Sequence, residues 1–143
     1  MSSPHQGFLL VRAGARRVGL DLRHVVGVSP LESFYHVPVL EQAIRGIAAV
    51  QGSMVPVIHL GALLEGTACP PSSTGQGVLV SIEGRRLCLE VDDAELLVRD
   101  RVLSMAAGTS FPWACGVARH AGGLVPLLDL FALSSRFLEA EPT

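Results

Sequence analysis

Apolar and polar residues alternate along most of this chain in short runs, a pattern typical of β-strands that bury one face. In the run 16–22, for example, Val18, Leu20 and Leu22 point to one side and the polar residues to the other. A hairpin is predicted between 8–12 and this run, because the connecting Ala-Gly-Ala places Gly14 in the turn. The same pattern predicts the remaining strands at 25–28, 46–50, 54–60, 78–82, 86–91, 96–98, 114–119 and 124–130.

Helical spacing is confined to short segments. It predicts helices at 39–45 and 131–140 and one turn at 62–65, with Phe131, Phe137 and Leu138 on one side of the last helix together with Leu133 or Ser134. Segments 65–77 and 104–112 are rich in Gly, Pro, Ser and Thr, which indicates loops, and the first is a linker.

The chain also contains an internal repeat. Residues 44–63, IRGIAAVQGSMVPVIHLGAL, correspond to residues 114–133, ACGVARHAGGLVPLLDLFAL, and 16–22 correspond to 85–91. The repeat predicts two halves, roughly 8–64 and 78–138, each with about five short strands, enough for one small barrel. Pro56 and Pro126 recur inside a strand of each half; since proline cannot donate to the ladder, we expect an edge or a bulge at both.

These patterns predict an all-β fold with two five-stranded SH3-like β-barrels packed together and short helices between strands and at the C-terminus. All of residues 1–143 are assigned to one domain. The alternative is a single irregular sandwich.

Composition narrows the function. The chain has 143 residues, 49% hydrophobic and 17% charged, with a net charge of −2, whereas a nucleic-acid module usually carries a basic face. No apolar run approaches the roughly 20 residues of a membrane span, and no signal pattern opens the chain, which predicts a cytoplasmic protein without membrane insertion. Lysine is absent, so lysine-dependent chemistry is excluded. The apolar excess suggests hydrophobic surface for a partner.

Candidate chemical sites are weak. Three widely spaced cysteines indicate reduced thiols, with Cys88 as a small buried hydrophobe. His59 and His120 lack a third ligand at metal-site spacing, so no metal is expected, and each imidazole is expected to be exposed or hydrogen-bonded. The acidic residues at the end of strand 86–91 are interpreted as a solvated edge, namely Glu90, Asp92, Asp93 and Glu95. No catalytic residues and no cofactor are predicted.

With these motifs placed, the chain from about 8 to 138 resembles the CheW-type coupling proteins of bacterial chemotaxis, a domain that also regulates the CheA histidine kinase. The run 46–60, GIAAVQGSMVPVIHL, is similar to the family's Gly-Val-x-Asn-Leu-Arg-Gly-x-x-(Val/Ile)-Pro-(Val/Ile)-(Val/Ile)-Asp-Leu, and Val91-Asp92 matches a strand end. The resemblance implies two five-stranded barrels, no catalysis, and a scaffold that links a chemoreceptor signalling tip to a CheA-type kinase, with possible self-association in arrays.

The family motif is altered at polar positions. Its Asn-Leu-Arg becomes Ala49-Val50-Gln51, its Asp-Leu-Arg becomes His59-Leu60-Gly61, and a usual glutamate becomes Gly27. Such charges set partner choice, so their loss leaves the partner's identity open.

The resemblance also implies two contact surfaces. A receptor-binding groove would contain Val25, Gly27, Val28 and Val50, where the segment has more large apolar residues than one buried face needs. A kinase-binding surface would contain Gln51, Ser53 and Met54, and would pair end to end with a barrel of the kinase's regulatory domain. Two alternative functions are a divergent coupler for a non-chemotaxis kinase pathway and a small-molecule-binding β-barrel that uses the cleft between barrels.

Overall fold

The computed structural model describes residues 7–31, 44–50, 52–65, 75–99, 102–104 and 113–138. These residues form eleven strands, two α-helices and one turn of 3-10 helix at Leu22–His24. In chain order the elements are β1 (Phe8–Ala13), β2 (Arg16–Asp21), β3 (Val25–Pro30), β4 (Ile44–Val50), β5 (Ser53–His59), α1 (Leu60–Glu65), β6 (Gln76–Ile82), β7 (Arg85–Val91), β8 (Asp93–Val98), β9 (Val102–Ser104), β10 (Ala114–His120), β11 (Gly123–Leu128) and α2 (Leu130–Leu138).

The strands form two sheets. One has the order β8-β1-β2-β11-β10-β9 and the other β3-β6-β7-β5-β4. If the three-residue β9 is left out, each sheet contains five strands. Strands that correspond to each other in the sequence repeat occupy the same position in the two strand orders. The predicted all-β fold of two SH3-like barrels is confirmed. We call the β8-containing sheet the first barrel and the β3-containing sheet the second barrel.

The strands are exchanged between the two halves of the sequence. Hairpin β1–β2 lies in the first barrel with β8 to β11, whereas β3 to β5 lie in the second barrel with β6 and β7. The expectation that each half builds its own barrel is therefore wrong. Both hairpins carry the same alternation of apolar residues, so local pattern does not determine which barrel each completes.

Two parallel pairings make the exchange. Gly19 of β2 lies opposite Leu127 of β11, and Cys88 of β7 lies opposite Val57 of β5. The parallel pairings begin at Val57 and Leu127, the residues that directly follow Pro56 and Pro126. Each proline therefore has a partner strand on one side only. The strands themselves are internal, but the position spares proline the hydrogen bond that it cannot donate.

The core has three parts. The largest is shared by both sheets and includes Leu20, Leu89 and Leu133. A smaller cluster fills the first barrel, and its equivalent, built around Val57, Leu79 and Cys88, fills the second. The shared cluster joins the barrels through buried aliphatic side chains, which is how the exchanged strands stabilise the whole domain.

Some local predictions are corrected. Residues 44 and 45 belong to β4 rather than to a helix, and residues 39–43 lie outside the described part of the chain. Residues 66–74 of the linker and 105–112 of the second loop also lie outside it. In α2, Leu133 and Ser134 are buried but Phe131 is 49% exposed, and its ring makes an edge contact with His24 at 5.2 Å between centroids. Phe131 therefore does not share the buried side that the spacing predicted.

Candidate interaction surfaces

Strand β3 exposes one face of the second barrel. Its residues alternate between half-buried and exposed, as expected for an edge strand with one packed face. Val26 and Val28 are 41% and 44% exposed, while Val25 packs against the shared core. Val28 is thus an exposed residue of β3, whereas Val25 contributes to the core.

The residues of the predicted receptor-binding groove are not brought together on one exposed face. Val50 is only 6% exposed and belongs to the second barrel's core, together with Val55 and Cys88. Gly27 is half-buried beside Val28. Of the four predicted residues, Val28 is the one with an exposed side chain.

Two of the three predicted kinase-binding residues, Ser53 and Met54, lie at the start of β5. Met54 is 60% exposed, as an adaptable contact residue requires. Ser53 begins β5, and Gln51 lies outside the described residues.

The first barrel carries matching exposed residues that the predictions missed. Leu124 occupies the position in β11 that Met54 occupies in β5, and it is 69% exposed. Leu97, equivalent to Val28, is 61% exposed, and Leu96 beside it is 44% exposed. The repeat itself is the signal that could have found them, because it maps Met54 onto Leu124.

A cavity of about 540 Å³ lies against the first barrel. Its apolar lining includes Leu10, Leu96 and Leu124, and its polar lining includes Arg17, Glu95 and His120. All of these residues belong to the six-stranded sheet, so this cavity is not a cleft between barrels.

An ion pair forms part of the cavity lining. Arg17 Nε donates to Glu95 Oε1 at 2.7 Å, and Arg17 Nη2 donates to Glu95 Oε2 at 3.2 Å. These two bonds raise the pKa of Arg17 and lower the pKa of Glu95. The guanidinium thereby joins β2 to β8 across β1.

The acidic residues near β8 do not form a solvated edge. Glu90 is buried at 3% exposure, and Glu95 is held by Arg17. Asp92 accepts a hydrogen bond from the Gly14 N–H at 2.5 Å and lies 3.7 Å from Arg12. The solvated-edge prediction is therefore wrong for Glu90, which is buried, and Glu95 and Asp92 are paired with donors of the β1–β2 hairpin that the local sequence does not contain.

His59 and Asp129 have the same structural role in the two halves. His59 is buried and its Nδ1 accepts from the Ala62 N–H at 3.4 Å, while Asp129 Oδ1 accepts from the Ala132 N–H at 3.1 Å. Each side chain therefore satisfies a free N–H in the first turn of the helix that follows it. The predicted hydrogen-bonded imidazole is confirmed for His59. In the described part of the chain, no group of three or more His, Cys, Asp or Glu side chains could hold a metal ion.

Comparison with known proteins agrees with this architecture. The model of the CheW-like domain matches residues 7–136, nearly the whole chain. The chain belongs to the CheW-like domain family. Among solved structures, it is similar to the scaffolding protein TtCheW from Thermoanaerobacter tengcongensis, with 20% identity, a TM-score of 0.76 and coverage of 91% of this chain and 87% of that one. No curated protein sequence matches the chain.

Membership in the CheW-like family makes the chain a scaffold-type domain of chemotaxis signalling. Within its described residues, no helix has the length and apolar character needed to cross a membrane.

Proposed function

We propose that this protein is a non-enzymatic adaptor that couples chemoreceptors to a CheA-type histidine kinase in the cytoplasm. The observation that carries the proposal is the pair Met54 and Val28, two exposed apolar residues on different strands, β5 and β3, of the second barrel. An adaptor must bind two partners at once, and two such positions provide two docking points on one domain. The CheW-like fold supports the same function.

The kinase-binding surface is proposed around Met54, with Ser53 and Gln51 beside it. A flexible thioether side chain that is 60% exposed can fill a partner's apolar pocket at little strain. Burial of such an anchor is the type of contact that dominates interface free energies.

The receptor-binding surface is proposed on β3. Val28 contributes its exposed side chain, and Gly27 keeps the adjacent surface flat for a helix tip. Val25, which packs against the shared core, and Val50, which lies in the second barrel's core, make no direct contact with the receptor in this proposal.

The proposal is tested by titrating the purified protein with a CheA-type kinase and, separately, with a receptor signalling-tip peptide. Met54→Asp should weaken kinase binding at least about tenfold, because it places a charge where an apolar anchor is buried. Val28→Glu should weaken receptor binding in the same way.

Leu124→Asp is the matched control for Met54→Asp, since it makes the same change at the equivalent position of the first barrel. It should leave the kinase affinity of the second barrel intact. A folded Met54→Asp variant that binds the kinase as the parent does would rule out this surface, and absence of binding by the parent to either partner would rule out the adaptor function.

A further inference from the structure

The ion pair of the first barrel depends on a specific register. Arg17 of β2 lies opposite Arg12 of β1, and Glu95 lies in a bulge of β8, where the pairing with β1 shifts between Leu10 and Val11. The long guanidinium side chain reaches over β1 and meets the Glu95 carboxylate at 2.7 Å.

The second barrel repeats this register with different side chains. Arg86 of β7 lies opposite Ser81 of β6, and Val26 lies in the bulge of β3 between Val25 and Gly27. Arg86 and Val26 therefore occupy the same positions in the second barrel as Arg17 and Glu95 occupy in the first. Val26 has no carboxylate, and its side chain is 41% exposed.

Arg86 is exposed and has no carboxylate partner in the described part of the chain. The four ion pairs described there belong to Arg12, Arg16, Arg17 and Arg23. The β1–β2 and β6–β7 hairpins thus differ. In the first, Arg16 and Arg17 are both paired with glutamates, whereas in the second the position equivalent to Glu95 is the apolar Val26.

The surroundings of Arg86 follow from the same equivalence. In the first barrel, Arg17 and Glu95 line one cavity with Leu96 and Leu124. The corresponding residues of the second barrel are Arg86, Val26, Gly27 and Met54. We call Arg86, Val26 and Met54 the Arg86 patch: an arginine without a carboxylate partner in the described part of the chain, with exposed apolar side chains at the positions equivalent to Glu95 and Leu124. Gly27 stands where the first barrel has Leu96 and belongs to the proposed receptor surface.

We propose that the Arg86 patch binds a protein partner that supplies the missing carboxylate, from an Asp or Glu side chain flanked by aliphatic residues. The inference rests on the proposed function, in which the partner that contacts Met54 is the regulatory domain of a CheA-type kinase. A guanidinium donates two parallel hydrogen bonds to a carboxylate, which fixes orientation, and the aliphatic neighbours exclude water from the pair.

The geometry is tested first in the protein alone with the substitution Val26→Glu. If Arg86 reaches position 26 as Arg17 reaches Glu95, the introduced carboxylate will titrate below the ordinary glutamate range in an NMR pH titration. The double variant Val26→Glu/Arg86→Gln should return it to that range. An ordinary pKa in the single variant would overturn the proposed geometry.

The binding is tested by calorimetry with a full-length CheA-type kinase at low and moderate salt. Arg86→Gln should weaken binding about tenfold, equivalent to about 1.4 kcal/mol, and should reduce its dependence on salt. Val26→Glu should weaken binding as much, because its carboxylate occupies Arg86, whereas the neutral Val26→Gln should have a smaller effect.

Arg85→Gln is the matched control, since it removes the same charge from the neighbouring residue, on the opposite face of β7. It should bind as the parent does. If Arg86→Gln also binds as the parent does, the inference is wrong while the adaptor function stands. If the parent protein does not bind the kinase, both the adaptor function and the binding role of Arg86 are wrong. The titration of Val26→Glu still reports whether Arg86 reaches position 26.

Discussion

The ring of Phe8 lies over Gly19, so that a Cβ on residue 19 would be 2.7 Å from the Phe8 Cδ2 atom. The same Cβ would also overlap the side chain of Leu127, the residue opposite Gly19 in the parallel pairing. In the second barrel the sizes are reversed: Cys88 takes the place of Gly19, and Gly77 takes the place of Phe8, where a Cβ would lie 2.6 Å from the Cys88 Sγ atom. Each barrel thus has one glycine in this contact between the two strands of its hairpin, and the other strand carries the larger side chain.

Gly19→Ala should therefore destabilise the protein by about 1–3 kcal/mol, the usual cost of inserting a methyl group into a packed core. Phe8 and Leu127 are both buried and cannot move away without displacing their neighbours. The measurement is the free energy of unfolding in urea.

Gly123→Ala is the control for this prediction, because the nearest atom to its Cβ would be the His120 carbonyl oxygen at 3.8 Å. It should change stability little. Equal effects of the two substitutions would show that the close packing around Gly19 does not limit residue size.

Asp129→Ala should lower stability by about 1 kcal/mol, because α2 loses the side chain that accepts from the Ala132 N–H. Asp129→Asn keeps an oxygen acceptor and should retain most of the stability. Thermal unfolding of the three proteins measures the difference, and an alanine variant as stable as the asparagine variant would contradict the capping role.

Glu95 should make stability depend on pH in the acid range. Its pKa is lower in the folded protein than in the unfolded chain, because Arg17 donates hydrogen bonds to the carboxylate. The contribution of this pair is therefore present above the ordinary glutamate pKa and is lost as pH falls through the lower, folded value. Because both side chains contact solvent, the effect should be small and should weaken with salt.

The check is urea unfolding across the acid range for the parent and for Glu95→Gln. As the pH falls, the free energy of unfolding of the variant should decrease less than that of the parent. Identical pH profiles would mean that the Arg17–Glu95 pair does not contribute in solution.

Cys88 should resist alkylation in the folded protein, whereas Cys115 should be modified. Burial raises the pKa of the Cys88 thiol to about 12, so at pH 8 it carries almost no thiolate and is also shielded from reagent. Cys115 is exposed, although partial burial and Asp129 raise its pKa as well. Peptide mass spectrometry after brief treatment with iodoacetamide measures both, and rapid labelling of Cys88 in native protein would contradict its buried position.

Much of the local structure follows from sequence alone. The β1–β2 hairpin around Gly14, the strands of the repeated Val-Pro motif and the burial of Cys88 depend on alternation and turn residues within a few positions. The number of barrels follows from the repeat. The repeat also relates Met54 to Leu124, and the structure shows both exposed.

The pairing of the halves was decided by the tertiary structure. Whether β1–β2 completes the barrel of its own half or of the other depends on contacts such as that of Gly19 with Leu127, two residues far apart in the chain. The environment of the acidic residues was decided in the same way, since Arg17 and Gly14 reach Glu95 and Asp92 from another strand. Periodicity reports which face of a strand is apolar, but contacts between distant strands depend on side-chain volume and charge at positions that no local pattern connects.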